Sequence, residues 1–369
     1  MTKLIYSRRR FLGTAAASGA LLASPAYLRS SAAQSSNEVN IWTYDSFVTD
    51  EFKAQFEKDT GIKVNIRLVD DQGKQFNLLA AEAPNPTVDI LTVAGHRFLQ
   101  FIDSELLAPM DTGRLTNWGN INPVYSESDW ATIKDQKWGV PILSGAETLA
   151  YNTELVSPEE AQSWDLLFSE KYKGQTAYIL NDIMSIVMLY KGYDGNMVEY
   201  INDPEKAAAI VKEARDFLIE KKPLVRKYYD SGAEVQQMFI NQDIAVAHAW
   251  NGPIATLIND GFPVAVTIPK EGSYGFVYTL NVANNAPNAD NAYKFLDALL
   301  ANAEVGAGMT RATGFISTFK DAAQHLTDVE KKSSSFTEEE LAGLQFFRAE
   351  ANDMKYGLVD PAVEEIKAA

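Results

Sequence analysis

Hydrophobic and polar positions near the start of the chain follow strand spacing and helix spacing in turn. Residues 62–69 alternate strictly between apolar and polar side chains, which predicts a half-buried strand. Gly61 follows a stretch with helical spacing and is expected to end that helix, because glycine adopts the left-handed conformation easily. Strand, helix, strand, helix, strand in this order predicts a parallel sheet with helices on both faces. The predicted strands cover residues 39–44, 62–69 and 88–93, and the helices cover residues 49–60 and 76–83.

The rest of the chain continues the alternation of short strands and helices. The apolar stretch at residues 138–151 predicts two extended segments broken at Ser144 and Gly145, and we interpret this break as a crossing between lobes. Residues 310–318 are predicted to form a linker and residues 336–367 to be largely helical. Further strands are predicted at residues 176–180, 224–229, 244–250, 264–268 and 274–282, and further helices at residues 183–190, 203–222, 233–241, 253–260 and 289–300.

Aromatic residues are dense between residues 246 and 286. Trp250, Tyr274, Phe276 and Tyr278 lie at predicted strand ends or next to glycine, whereas a core strand places its aromatic residues within the run. Ligand groups in α/β proteins concentrate at the carboxyl ends of strands. We therefore predict that this stretch crosses between two lobes and lines much of a binding cleft. The alternative is ordinary core packing, because 11% of the chain is aromatic.

Two α/β lobes that the chain crosses more than once define a bilobal binding fold, with a hinge and a ligand cleft between the lobes. The predicted boundaries are residues 1–33 for a signal peptide, residues 38–145 with 277–316 for lobe 1, and residues 146–276 with 317–369 for lobe 2.

The first residues have the pattern of a twin-arginine export signal. Residues 7–12, SRRRFL, supply the arginine motif, residues 13–26 form an apolar segment, and Ser31-Ala32-Ala33 is a small-residue cleavage site. The apolar segment is too short to span a bilayer as a stable helix. A lipid-facing anchor or a basic tail is the alternative. We predict that the protein is exported folded to the periplasm.

Composition excludes several classes of function. A net charge of −16 argues against a nucleic-acid partner, because phosphate binding requires a basic surface. The absence of cysteine excludes disulfides, thiolate metal sites and cysteine nucleophiles. The chain has no nucleophile elbow, glycine-rich phosphate loop or metal-ligand spacing, and its three histidines are far apart. We therefore predict a binding protein without catalytic residues, cofactor or metal.

Several separated motifs, in this order, are similar to those of a known family. The chain resembles the periplasmic solute-binding proteins of ABC importers, most closely the spermidine/putrescine-binding type. The resemblance implies the bilobal periplasmic-binding-protein fold, with two α/β lobes and a ligand in the cleft between them. It also implies no catalysis, delivery of the ligand to the membrane subunits of an ABC permease, and a monomer. The motifs are IWTYDSFVTDEFKAQFEKDTGIKV, WGVPILSGAETLAYNTELV, SWDLLFSEKYKGQ, AHAWNGP and PKEGSYGFVYTLNVANNAPN.

The resemblance assigns aromatic walls to the cleft. Trp42 and Tyr44 match the aromatic positions of the first strand, and Trp250 matches another wall residue. Gly95 and His96 lie where the third strand ends, which is cleft wall in the family, although the family's usual serine and tyrosine are absent. Aromatic rings at these positions would stack on methylene groups and hold ammonium groups by cation–π attraction.

The amine-binding acids of the family are only partly present. Asp182 matches the first of them, Ser185 stands where a second acid is expected, and Tyr278 stands where the last crossing carries an aspartate. Glu147 is a candidate replacement, and a structural salt bridge is its alternative. Asp182 has the alternative role of a helix cap. Weaker substitutes are Asp45, Asp70 and Asp71.

The missing acids favour a ligand with one ammonium group, or a shorter molecule, over a long polyamine. The predicted ligand is therefore a small amine, either a polyamine such as putrescine or spermidine or a related cationic or zwitterionic compound. Three alternatives remain: a ferric-iron-binding relative using Tyr228 and Tyr229, a bilobal enzyme using Glu147 and Asp182, and a purely sensory receptor.

Overall fold

The structure, a computed structural model, describes residues 37–69, 71–127, 131–337, 340 and 343–369. The predicted export signal, residues 1–33, lies outside the described residues. Among the described residues, no helix is both long enough and apolar enough to cross a membrane.

The chain begins with three strands and two helices, as the alternation of its residues predicts. Strand β1 (Glu38–Thr43) pairs in parallel with β2 (Lys63–Leu68) on one side and with β3 (Ile90–Ala94) on the other. Helix α1 (Asp50–Thr60) begins after Thr49, whose side chain accepts a hydrogen bond from the Phe52 amide, and ends at Gly61 with φ of 70°. Helix α2 (Gln72–Glu82) precedes β3.

The later elements follow in a similar rhythm. The helices are α3 (Phe98–Asp103), α4 (Pro123–Ser126), α5 (Leu180–Tyr190), α6 (Pro204–Lys221), α7 (Gly232–Ile240), α8 (Asn251–Asn259), α9 (Ala289–Leu300), α10 (Ala303–Thr313), α11 (Asp328–Ser333) and α12 (Asn352–Ala368). The strands are β4 (Val140–Asn152), β5 (Thr176–Tyr178), β6 (Val225–Tyr228), β7 (Val246–Trp250), β8 (Val264–Thr267), β9 (Ser273–Val282), β10 (Ile316–Ser317) and β11 (Leu344–Phe346).

One long strand joins the two halves of the sheet. The strand order is β2-β1-β3-β9-β4-β7-β5-β6, with β8 and β10 paired to β4 and β11 paired to β9. The first half of β4, up to Ala146, pairs antiparallel with β9, and the second half, from Glu147, pairs antiparallel with β7. The side chain of Glu147 therefore lies where one half of the sheet gives way to the other.

Each half of the sheet has apolar packing on both faces. In β1, Ile41 packs in the cluster that contains residues of α1 and α9, whereas the next residue, Trp42, packs in the cluster that contains residues of α2 and α3. In β5, Ala177 packs with residues of α7 and α8, and Tyr178 packs with residues of α5, α6 and α12. Successive strand residues point to opposite faces, so helices cover both sides.

Three local expectations are wrong. Strand β4 is continuous, because Gly145 lets the Phe276 ring pack against the backbone: a Cβ at position 145 would lie 2.5 Å from that ring. Residues 310–313, at the start of the predicted linker, belong to α10, which covers residues 303–313. The N-cap of this helix is Asn302 and its C-cap is Gly314. Part of the predicted C-terminal helix is β11, which pairs with β9. The sheet is also mixed, because β9 runs antiparallel to both β3 and β4.

Alanine at Gly61 is expected to lower the free energy of unfolding by about 1 kcal/mol, because the C-cap requires positive φ and the space around it is open. Gly357→Ala, in the exposed middle of α12 with nothing near its Cβ position, is expected to raise it by about 0.5–1 kcal/mol. Chemical denaturation of both variants measures the difference. Equal changes of the same sign would contradict the backbone argument.

Candidate ligand-binding cleft

A cleft of about 670 Å³ lies where the two halves of the sheet meet. Its walls come from the residues after β1, the end of β3, the middle of β4, the first turn of α5, the end of β7 with the start of α8, and one face of α12. Ligand sites occur preferentially in such a position between lobes.

Two carboxyl groups at the centre of the cleft share one hydrogen-bond donor. The indole Nε1 of Trp250 lies 3.1 Å from Glu147 Oε1 and 3.2 Å from Asp182 Oδ2 and donates to both. Glu147 is 2% exposed, whereas Asp182 keeps some solvent contact. Glu147 comes from the crossing strand β4, Asp182 from the first turn of α5 and Trp250 from the end of β7. The fold therefore brings two acids from different elements onto a single N–H group.

Burial disfavours the charged form of both acids. It raises the pKa of Glu147 to about 8, against smaller opposing effects of the Trp250 hydrogen bond and the Lys355 charge. Burial, followed by the nearby Glu147 charge, raises the pKa of Asp182 to about 7. The two carboxyl groups are thus held close together without enough compensating positive charge, and a cation placed between them would stabilise both.

His248 lies behind this pair and stays neutral. Its Nε2 atom is 2.7 Å from Glu147 Oε2, although neither atom makes a well-directed hydrogen bond within the described residues. Burial lowers the pKa of His248 to about 4, and Asp182 opposes this only in part. The imidazole is therefore neutral near neutral pH and does not neutralise the carboxyl groups.

Aromatic rings form a continuous wall beside the acids. The Tyr278 ring centroid lies 5.5 Å from that of Tyr44, 5.0 Å from that of Phe47 and 5.4 Å from that of Phe276. Phe315 closes the set at 5.7 Å from Phe276. Burial, then the charges of Tyr44, Asp182 and Glu147, raise the pKa of Tyr278 well above its usual range, so its hydroxyl remains neutral. The wall offers ring faces to an alkyl chain or an ammonium group.

A basic group also faces the cleft. Lys355, on α12, is 4% exposed, and its Nζ lies 4.8 Å from the centroid of the Phe347 ring. Burial lowers the pKa of Lys355 to about 8, against the opposing charges of Asp182, Asp194 and Glu147. The cleft thus contains acids and a lysine ammonium together.

Most of the residues predicted from the sequence lie in the lining of this cleft. They are Tyr44, His96, Glu147, Asp182, Ser185, Trp250, Phe276 and Tyr278. Asp182 is not the helix cap, since α5 is capped at Ile179 and Asp182 occupies its first turn. Of the weaker candidates, Asp45 and Asp71 line the cleft, and Asp70 lies outside the described residues.

Three predicted residues lie outside the lining. Trp42 packs in the core, with the Arg67 guanidinium 5.1 Å from its ring centroid, because its position in β1 points away from the cleft. Tyr274 is fully buried, and its hydroxyl accepts a hydrogen bond from the Gly195 amide at 2.8 Å. Gly95 is buried at the start of the short turn after β3 and contributes only backbone there.

Sequence reasoning missed a second group of lining residues, which come from segments distant in sequence. Neither a motif nor helical spacing separates Lys355 from the other charged residues of α12, so only the tertiary packing reveals it. The missed residues used below are Phe47, Gln72, Arg97, Phe315, Phe347, Lys355 and Tyr356.

The tyrosine pair of the iron hypothesis is not part of the cleft. The Tyr229 hydroxyl donates to the His248 carbonyl at 2.6 Å, and the Tyr228 ring lies 5.3 Å from that of Tyr178. Within the described parts of the chain, no group of three acidic, histidine or cysteine side chains is placed to hold a metal ion. Both tyrosines serve the packing of the second half of the sheet.

The sequence profile of the bacterial extracellular solute-binding proteins matches residues 51–337. The chain belongs to this family, whose members bind solutes, so the predicted family and the main prediction of a solute-binding protein are confirmed.

Individual relatives agree with this assignment. The chain is 24% identical over 288 residues to spermidine/putrescine-binding periplasmic protein 1 of Haemophilus influenzae, covering 77% of this chain and 76% of that protein. It is 27% identical over 280 residues to the putrescine-binding periplasmic protein PotF of Escherichia coli, covering 71% and 73%. The solved structure of the spermidine/putrescine ABC transporter substrate-binding protein PotD of Streptococcus pneumoniae superposes with a TM-score of 0.76 at 19% identity, over 90% of this chain and 99% of that one. This likeness confirms the predicted bilobal α/β fold.

Proposed function

We propose that this protein captures a small amine in the periplasm and delivers it to the membrane subunits of an ABC importer. The observation that carries the proposal is the acidic centre, in which Glu147 and Asp182 share the Trp250 N–H. In the empty protein, burial disfavours the charged forms of these two carboxyl groups, as their raised pKa values indicate. An ammonium group bound beside them would stabilise those charges.

The aromatic wall beside the acids suits both parts of an aliphatic amine. An ammonium group near the faces of Tyr44, Tyr278 and Trp250 would gain about 0.5–2 kcal/mol per ring from cation–π attraction. The alkyl part of the ligand would be covered by Phe47 and Phe315, which pack on the same wall. Acids at one end and apolar rings along the side match a short aliphatic amine.

Two further observations support a transport role. The relatives from H. influenzae and E. coli are named as polyamine-binding periplasmic proteins. The acidic centre spans the junction of the two halves of the sheet, since Glu147 lies at the crossing in β4. We propose lobe boundaries at residues 145/146 and 276/277, a hinge at these crossings, and closure of the lobes around the ligand, which the permease would recognise.

The mature protein, from Gln34, is expected to bind an amine in a saturable manner without chemical change. A ligand at 100 times its Kd stabilises the folded state by about 2.7 kcal/mol, so the melting temperature should rise by several degrees. Thermal shift and titration calorimetry with butylamine, putrescine, spermidine and 4-aminobutyrate measure this, and chromatography of the recovered ligand checks for turnover.

The variant Trp250→Ala should weaken binding by about tenfold or more, because it removes both a ring and the shared N–H group. Phe262→Ala, at an exposed phenylalanine outside the cleft lining, is the matched control and should bind like wild type. No binding of any amine, or conversion of the ligand into a product, would contradict the proposed function.

A further inference from the structure

Arg97, Lys355 and Gln72 form a basic corner of the cleft, beside the turn that follows β3. The Arg97 guanidinium lies 5.7 Å, and the Lys355 ammonium 5.8 Å, from the ring centroid of Tyr356. His96, in the same turn, is neutral, because burial and then the Arg97 and Lys355 charges lower its pKa to about 3. Two cations thus flank one tyrosine in the cleft that also contains Glu147 and Asp182.

Contacts from two other elements hold this corner in place. Gln72, in the first turn of α2, accepts a hydrogen bond from the Ala94 amide with its Oε1 atom, at 3.2 Å. The side-chain amide of Asn352 donates to the His96 carbonyl, and Lys355 follows Asn352 by one turn of α12. Side chains from α2 and α12 therefore hold the same short stretch of backbone, residues 94–96.

Several donors of this corner have no acceptor among the residues that the structure describes. Among the described residues, no carboxylate lies within salt-bridge distance of the Lys355 ammonium, whose close contacts are the rings of Phe347 and Tyr356. The Arg97 Nε and the Gln72 Nε2 atoms are buried, and neither has a hydrogen-bond partner within the described part of the chain. The Arg97 guanidinium also donates a hydrogen bond to Gln100 Oε1, at 2.7 Å, but this amide oxygen carries no charge that would balance the guanidinium.

Such an arrangement is costly unless an anion completes it. A buried ammonium without a counter-ion and buried N–H groups without acceptors each destabilise the folded protein. A carboxylate can accept from a lysine, a guanidinium N–H and an amide at once, because its two oxygens have about four acceptor positions. The corner therefore has the chemistry of a carboxylate-binding subsite.

We propose that the ligand carries a carboxylate as well as an ammonium group, the carboxylate binding Lys355, Arg97 and Gln72 and the ammonium binding the acidic centre of Glu147 and Asp182. This inference rests on the proposed function and narrows it to small zwitterions of the amino-acid type. It also accounts for the acids that are absent at Ser185 and Tyr278: a second ammonium group would meet Lys355 in this cleft.

A matched pair of ligands tests the inference. Putrescine and 4-aminobutyrate have similar lengths and share one ammonium end, and they differ at the other end by ammonium against carboxylate. Titration calorimetry at pH 7 should give at least tenfold tighter binding of 4-aminobutyrate than of putrescine. Lys355→Met should weaken 4-aminobutyrate by at least tenfold and leave putrescine unchanged or tighter. Lys367→Met, at an exposed lysine on the same helix, is the control and should change neither.

The outcomes separate this inference from the proposed function. Putrescine binding as tightly as 4-aminobutyrate to wild type, or Lys355→Met weakening both equally, would overturn the carboxylate subsite and leave amine capture intact. Tighter putrescine binding in Lys355→Met with no change for 4-aminobutyrate would show that the lysine occupies an amine position, and would also overturn it. Binding of neither compound nor of butylamine would overturn the proposed function itself. The wild-type ratio and Arg97→Gln decide the question if Lys355→Met does not fold.

Discussion

Asparagine in place of Asp182 is expected to weaken the binding of an ammonium ligand by about 100-fold and to make the empty protein more stable. Removing one charged partner from a buried ion pair costs about 2–5 kcal/mol of binding free energy, and about 2.7 kcal/mol corresponds to 100-fold. Asparagine keeps the size and the acceptor oxygen for the Trp250 N–H, so the change isolates the charge. Calorimetry with the tightest ligand of the screen measures the loss.

The stability of Asp182→Asn has a defined pH dependence. Burial, followed by the Glu147 charge, raises the pKa of Asp182 to about 7 in the folded protein, from an ordinary value near 4. A carboxyl group with a raised pKa stabilises the fold fully below its unfolded pKa, and this contribution is lost as the pH rises through the folded value. The variant should therefore gain about 1–2 kcal/mol over wild type at pH 8 and little at pH 4, as measured by chemical denaturation.

The control for this experiment is Asp216→Asn, at an exposed aspartate of α6 that pairs with Lys212 and Arg215. It should bind ligand like wild type and gain no stability at pH 8. Asp182→Asn binding the amine normally would show that Asp182 is not the ammonium site, whatever its effect on stability. If Asp182→Asn instead gains stability and loses binding, it behaves as expected for a functional site, where a buried charge is retained for the ligand.

Amine affinity is expected to rise steeply with pH between 6 and 8, by about tenfold per unit for each proton released. The ammonium group binds the ionised carboxyl groups, whereas Glu147 and Asp182 are largely protonated below their raised pKa values of about 8 and about 7. Binding a simple amine such as butylamine must therefore displace protons in this range. Calorimetry in two buffers with different heats of ionisation counts the protons directly.

The other groups at the centre do not alter the sign of this dependence. His248 remains neutral because its pKa is lowered to about 4, and Tyr278 remains neutral because its pKa is raised well above its usual range. Lys355 loses its proton near pH 8. A zwitterion that uses Lys355 should therefore bind less tightly above pH 8, whereas butylamine should not. Glu147→Gln should flatten the butylamine profile, and affinity that stays constant from pH 6 to pH 8 would contradict the shared acidic centre.

The local sequence determined those strands and helices whose alternation or capping residues lie close together along the chain. The alternation in residues 62–69 gives β2, and the cap at Thr49 with the glycine at position 61 defines α1. The bilobal fold and the family followed from elements and motifs in a fixed order. By contrast, α10 was missed because its sequence is rich in small residues, which resemble a loop until they pack closely: a Cβ on Gly306 would lie 2.4 Å from Ser317 Oγ.

The sequence likewise pointed to acids and aromatic residues that line the cleft, such as Glu147, Asp182 and Trp250. It could not tell that Trp42 faces the core, because a shift of one residue along a strand turns a side chain to the other face. Nor could it place Lys355 in the cleft, since that position depends on α12 packing onto α5 and α6 near the turn after β3. Spacing therefore determined the fold, and the resemblance of several motifs to a known family determined the class of protein. Only the tertiary structure, by bringing distant charges together in a buried cleft, decided which groups face the cleft and how burial shifts their pKa values.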